Sequence, residues 1–184
     1  MVLGKVAFWA SVTLVLSAGF LEAQTPEESP ARDGRKNITL GAMFQEEYLR
    51  KEGVQVIRPA GILYRVLASG TGRTPKATDR VLVQYEGRHV DGTIFDTSRK
   101  EGYETRVDRN IQGWIEVLPR MREGDRWEVV IPSHLAYGAN GQTIFDRKKG
   151  QEIRIEPNET LIFVIELIDV FEPGKKNENQ PAKS

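Results

Sequence analysis

GWIEVLPRMREGDRWEVVIP, residues 113–132, carries two hydrophobic periods side by side. Trp114, Val117, Leu118 and Met121 fall at i, i+3, i+4 and i+7, the spacing of one buried stripe on an α-helix. Trp127, Val129 and Ile131 then alternate, which is the period of a strand with one face in a core. Outward from this segment the strand period dominates. Val81, Val83 and Tyr85 alternate upstream, and 161–170 is apolar on both faces, as a central strand is. The expected architecture is one antiparallel sheet with a single short helix packed across it, an α+β domain. Further upstream, Leu40, Met43, Phe44 and Tyr48 predict a short N-terminal helix over 39–51, inside a segment 37–53 that Gly53 ends.

The chain has 184 residues, 26 Lys+Arg, 26 Asp+Glu and a formal net charge of zero. A balanced chain exerts no electrostatic pull on nucleic acid or an anionic membrane, so neither is an expected partner. There is no cysteine, which removes disulfides and thiol-based metal sites. Residues 1–19 begin with a basic stretch at Lys5 and continue through an apolar run to Phe20, the layout of a secretory signal peptide. Cleavage after Gly19 fits best, and cleavage after Ala23 stays open. The mature protein is then expected outside the cell or in a secretory lumen, with no membrane anchor. Residues 24–36 read as a disordered linker, 54–172 as the folded domain and 173–184 as a disordered tail. Asn37-Ile38-Thr39 and Asn158-Glu159-Thr160 match the acceptor pattern for N-glycosylation in a eukaryotic secretory pathway. His89 and His134 have no partner pattern and read as turn or surface residues.

Five segments occur in order: VQYEG at 83–87, DGTIFDTS at 91–98, IQGW at 111–114, HLAYG at 134–138 and PNETLIFVIELIDV at 157–170. Together they resemble the FKBP-type peptidyl-prolyl cis–trans isomerases, the rotamases that bind tacrolimus. Within that family, 121–138 looks most like the secreted macrophage infectivity potentiator subgroup. The resemblance implies a curled antiparallel sheet of five or six strands wrapped around one short helix, with a pocket between them. It implies that Tyr85, Phe95, Asp96, Ile111, Trp114, Tyr137, Ile155 and Phe163 line that pocket, with position 110, here Asn110, counted among the substrate- and inhibitor-binding positions. Trp114 would be the floor, the Tyr137 hydroxyl and the Ile111 N–H would bond substrate carbonyls, and Asp96 would sit beside the rotating imide. Proline-containing polypeptides are the implied substrates, and tacrolimus- or rapamycin-type macrolides the implied inhibitors. Members of the related subgroup dimerise through N-terminal helices. The helix here is too short to stand alone, so a monomer is expected.

Such a site suits the chemistry. An X–Pro bond rotates over a barrier of about 18–20 kcal/mol, set by amide resonance. No covalent bond breaks, so no nucleophile, metal or cofactor is required. A dry aromatic pocket removes the water that stabilises the planar, polar amide, and a few fixed donors hold the twisted form. Taken singly, each residue has a plainer reading. Trp114 on a helical stripe is core, Tyr85, Phe95 and Phe163 are strand aromatics, and Asp96 is a turn or ion-pair acid. Only their joint order makes a pocket.

Three features depart from the family. Asn110 stands where Val is usual. Thr105 and Val107 replace aromatics that often close one side. The loop between Tyr137 and Ile155, including FDRKKGQEIR at 145–154, is longer than usual where the family's loop overhangs the pocket. These departures sustain an alternative function, a non-catalytic polypeptide-binding or chaperone module on the same fold.

Overall fold

The computed structural model describes residues 34–146 and 150–171. The expected signal segment, the expected tail at 173–184, most of the expected linker and the basic tip Arg147, Lys148 and Lys149 lie outside the described residues. In chain order the elements are α1 (Gly34–Leu49), β1 (Val54–Ile57), β2 (Ile62–Ala68), β3 (Arg80–Arg88), β4 (Ile94–Thr97), β5 (Tyr103–Arg106), α2 (Gln112–Val117), β6 (Arg126–Ile131), β7 (Gln142–Asp146), β8 (Gln151–Ile155) and β9 (Leu161–Phe171). Seven strands form one antiparallel sheet in the order β1-β2-β6-β9-β3-β4, with β5 also paired to β3. That is more than the five or six the resemblance implies. β4 and β5 share one edge of β3, pairing with Glu86–Arg88 and Arg80–Val83 respectively.

The last strand is the centre of the sheet. Ile165 of β9 sits opposite Trp127 of β6 on one side and Tyr85 of β3 on the other. Side chains alternate between faces along a strand, and here both faces are covered. Leu161, Phe163 and Ile165 join the main core with Val129, Ile131 and the α2 residues Trp114 and Val117. Ile162 joins a smaller cluster with Val130, Leu63 and Tyr48 of α1. This is why 161–170 reads as apolar on both faces.

The stripe that defines α2 is buried as its period demands: Trp114, Val117, Leu118 and Met121 are all core. The helix is short because Pro119 lies in the 3₁₀ turn that follows it. The backbone of α2 rests directly on the sheet. A Cβ on Gly113 would lie 2.5 Å from the side chain of Ile131, so only glycine permits this approach.

α1 differs from its sequence pattern. It begins at Gly34, upstream of the apolar stripe, and its buried residues are Gly34, Gly41 and Tyr48. Leu40 and Met43 face outward, Met43 with 63% of its surface exposed. Tertiary docking sets this rotation. The Tyr48 hydroxyl donates to Glu128 Oε1 at 2.7 Å, and Asn37 Nδ2 donates to Pro157 O at 2.9 Å. The glycines let the helix backbone lie close to Pro157, Asn158 and Thr160. Asn37, read as part of an exposed segment, is half-buried in that seam, and Asn158 lies across from it.

Candidate active site

The fold brings four aromatic rings from four elements into one edge-to-face series. Tyr85 (β3) meets Trp114 (α2) at 5.1 Å between centroids and 84°. Trp114 meets Phe163 (β9) at 5.6 Å and 85°, and Phe163 meets Phe95 (β4) at 5.7 Å and 90°. Edge-to-face packing matches the positive rim of one ring to the negative face of the next and fixes each ring's plane. Gly87 makes room for it: a Cβ there would stand 2.6 Å from Phe95 and 3.0 Å from Phe163. The rings line one side of a cavity of about 450 Å³, completed by Asp96, Tyr103, Arg109, Asn110, Ile111 and Tyr137. Its size falls within the range of small-ligand pockets.

The polar groups around this hollow divide into paired and unpaired. The Tyr85 hydroxyl donates to Asp96 Oδ2 at 2.6 Å, and the Thr97 N–H donates to Asp96 Oδ1 at 2.9 Å. Asp96 therefore has both oxygens engaged. Asn110 donates to the carbonyls of Arg106 and Val107 at 2.7 and 3.2 Å, which folds its amide back on the preceding turn. In contrast, the Tyr137 hydroxyl and the Ile111 N–H have no partner among the described residues. The Ile111 carbonyl is used instead, accepting from Trp114 N at 2.9 Å at the start of α2. Burial first, and then the nearby Asp96 carboxylate, push the pKa of the Tyr137 phenol up. Burial and the bond to Asp96 do the same at Tyr85. Both phenols remain protonated donors across the physiological range.

Seven of the eight residues expected to line the pocket border this cavity, and Asn110 borders it as well. Ile155 is the correction. It ends β8, pairs with Gln142 across the β7–β8 hairpin, and is 1% exposed within the main core. Its side chain supports the sheet and does not reach the cavity. The described part of the long segment after Tyr137 folds as that hairpin, with Ile144 and Ile153 against the core, and none of its described residues lines the cavity. Two lining residues escape the sequence reading. Tyr103 lies one alternation before Thr105 on β5 and meets Tyr85 edge-on at 5.8 Å, so it closes the side where Thr105 lacks a ring. Val107 turns into the core. Arg109 stands at the rim. His89 is also more than a turn residue: its Nδ1 lies 2.5 Å from Glu159 Oε1, and its ring packs on Phe95 at 5.1 Å. Among the described residues, no group of His, Cys, Asp and Glu is arranged to hold a metal ion.

Residues 71–168 match the profile described as FKBP-type peptidyl-prolyl cis-trans isomerase. The chain is 41% identical over 133 residues to the FKBP-type 22 kDa peptidyl-prolyl cis-trans isomerase of Escherichia coli, covering 71% of this chain and 60% of that one. It is 36% identical over 177 residues to the macrophage infectivity potentiator of Trypanosoma cruzi, covering 93% of this chain and 85% of that protein. It spans 56% of the outer membrane protein MIP of Legionella longbeachae, so several bacterial relatives are considerably longer than the matched region. Among solved structures, a peptidyl-prolyl cis-trans isomerase from Pseudomonas syringae superposes with a TM-score of 0.65 at 38% identity, covering 75% of this chain and 96% of that one.

Proposed function

The chain belongs to the FKBP-type peptidyl-prolyl cis–trans isomerase family, and on that premise we propose that it accelerates rotation about X–Pro bonds in exported polypeptides. One observation carries this reading. Tyr85, Asp96 and Asn110 are paired within the protein, while the Tyr137 hydroxyl and the Ile111 N–H are left open beside the Trp114 floor. Two fixed donors over an aromatic surface suit a substrate that offers carbonyls and an apolar ring.

The chemistry follows from that arrangement. The proline ring rests on Trp114 among Phe95 and Phe163, where water is excluded. Loss of solvation penalises the planar amide, whose resonance places negative charge on oxygen, more than the twisted one. Donation from Tyr137 and Ile111 fixes the flanking chain so that rotation occurs about one bond. Each Asp96 oxygen already accepts one hydrogen bond, from Tyr85 and from the Thr97 N–H. Its role is to anchor Tyr85 and to place negative charge beside the rotating imide. Each tenfold of rate needs about 1.4 kcal/mol, so contributions of ordinary hydrogen-bond size suffice.

The apolar amino-terminal segment motivates export, with action in a secretory lumen or outside the cell. No helix among the described residues is long and apolar enough to cross a membrane. A monomer accounts for α1, because Tyr48 is buried against the chain's own sheet. Macrolides of the tacrolimus type, which present a pipecolyl ring and carbonyls, fit the same floor and donors.

The test is isomerisation of a proline-containing peptide by the purified mature protein, with and without rapamycin. Acceleration that rapamycin abolishes is expected, and no acceleration at any enzyme concentration sinks the reading. A second reading, a chaperone module, is favoured by the outward face of α1, where Leu40, Met43 and Phe44 line a separate hollow. It requires suppression of client aggregation that persists in Tyr137→Phe and disappears when Leu40 and Met43 are made polar.

A further inference from the structure

Arg109 is the cation that the pocket presents to solvent. Its side chain lines the cavity, it is exposed, and its guanidinium has no ion pair or hydrogen bond among the described residues. The charges around it are already committed. Arg106 grips Asp108 through two contacts, at 3.0 and 2.6 Å. Glu104 is paired with Arg80 at 2.6 Å. Asp96, the one acid in the cavity lining, accepts from Tyr85 and Thr97.

The backbone beneath Arg109 is held from both sides. Val107 N donates to Asp79 O and Asp108 N donates to Ala77 O, each at 3.1 Å. Asn110, the polar residue at a usually apolar position, closes the same turn by donating to the Arg106 and Val107 carbonyls. The turn is therefore fixed while the Arg109 side chain is left free. The open Ile111 N–H follows two residues later, so a polypeptide bonded there passes beside Arg109. A guanidinium offers a planar pair of donors that matches a carboxylate.

We propose that Arg109 is a carboxylate-binding subsite at the pocket rim, which selects prolines flanked by an aspartate or glutamate. The inference rests on the isomerase reading of the same pocket. An exposed ion pair is worth little in water, so the selectivity is modest, and it weakens as salt shortens the range of charge interactions.

The experiment measures kcat/KM of the mature protein on two peptide series, one varying the residue before proline and one the residue after it, each with Glu, Gln and Lys. In the series that apposes the variable residue to Arg109, the Glu-to-Lys ratio is expected to be about five at low salt. It falls to about one in Arg109→Gln and drops below one in Arg109→Glu, and it shrinks toward one in high salt. A ratio near one in both series for the natural protein overturns the proposal, as does a ratio that Arg109→Glu leaves unchanged. Absence of catalysis on every peptide removes the isomerase reading and the subsite with it. Catalysis that is blind to charge removes the subsite alone.

Discussion

Two hollows of similar size sit on this protein, and they are built differently. The aromatic pocket holds about 450 Å³ and the groove along α1 about 490 Å³. The pocket draws Tyr85, Phe95, Asp96, Trp114 and Phe163 from three strands and a helix, and its rings lock one another edge to face. The groove draws on α1 and Val90, and its apolar residues share it with Glu46, Glu47 and Arg50. Volume does not separate the two. Convergence does: side chains from distant parts of the chain restrict one another's rotamers, whereas neighbours on one helix do not. The donors left open at Tyr137 and Ile111 matter because the surrounding wall cannot relax to satisfy them.

The difference is broken most directly by truncating one residue in each hollow. Trp114→Ala removes a ring that is 4% exposed and is expected to destabilise the protein by about 3–5 kcal/mol, with loss of isomerase activity. Met43→Ala in the groove is expected to stay within about 0.5 kcal/mol. Urea unfolding of both variants measures the contrast, and equal losses would show that the groove is packed as tightly as the pocket.

Tyr137→Phe separates the open donor from the packing. The ring stays and the hydroxyl goes, so stability is expected to hold within about 0.5 kcal/mol. kcat/KM is expected to fall by up to about tenfold, the worth of one neutral hydrogen bond. A stability loss with unchanged kcat/KM would assign Tyr137 to the wall instead of the chemistry.

The smallest effect concerns the pocket's outer wall. His89 joins Glu159 and backs Phe95. The bond to Glu159 raises its pKa above 6.5, against a smaller opposing effect of burial, with Asp91 and Glu156 adding to the rise. A raised histidine pKa stabilises the fold fully below 6.5, and that contribution is lost as pH climbs through the folded-state value. The urea midpoint is therefore expected to fall between pH 6 and pH 8 by an amount worth no more than about 1 kcal/mol. The fall is expected to be smaller in His89→Gln. A midpoint that rises over this window, or an identical fall in the variant, would detach His89 from the wall.

Much of the site is legible in the chain because its residues sit inside strong local periods. Trp114 belongs to a helical stripe, and Tyr85, Phe95 and Phe163 to strand alternations beside recognisable motifs. Ile155 shows where this fails. Its motif position matches the pocket, but its direction is set by pairing with Gln142 in the β7–β8 hairpin, and pairing register turns a side chain from one face to the other. The outward rotation of Leu40 and Met43 has the same cause. A helical stripe names a face, and the seam with Pro157, Asn158 and Thr160 decides which face is buried.

What the sequence determined by itself was the element types, the α+β class, the family and most of the pocket's aromatic residues, because those follow from spacing along the chain. Tertiary structure alone decided which polar groups are paired and which are open. His89 finds Glu159 seventy positions away, Asn110 folds back on its turn, and Arg109 is left at the rim. Hydrogen-bond and charge partners are chosen by distance in space, and no local period encodes that.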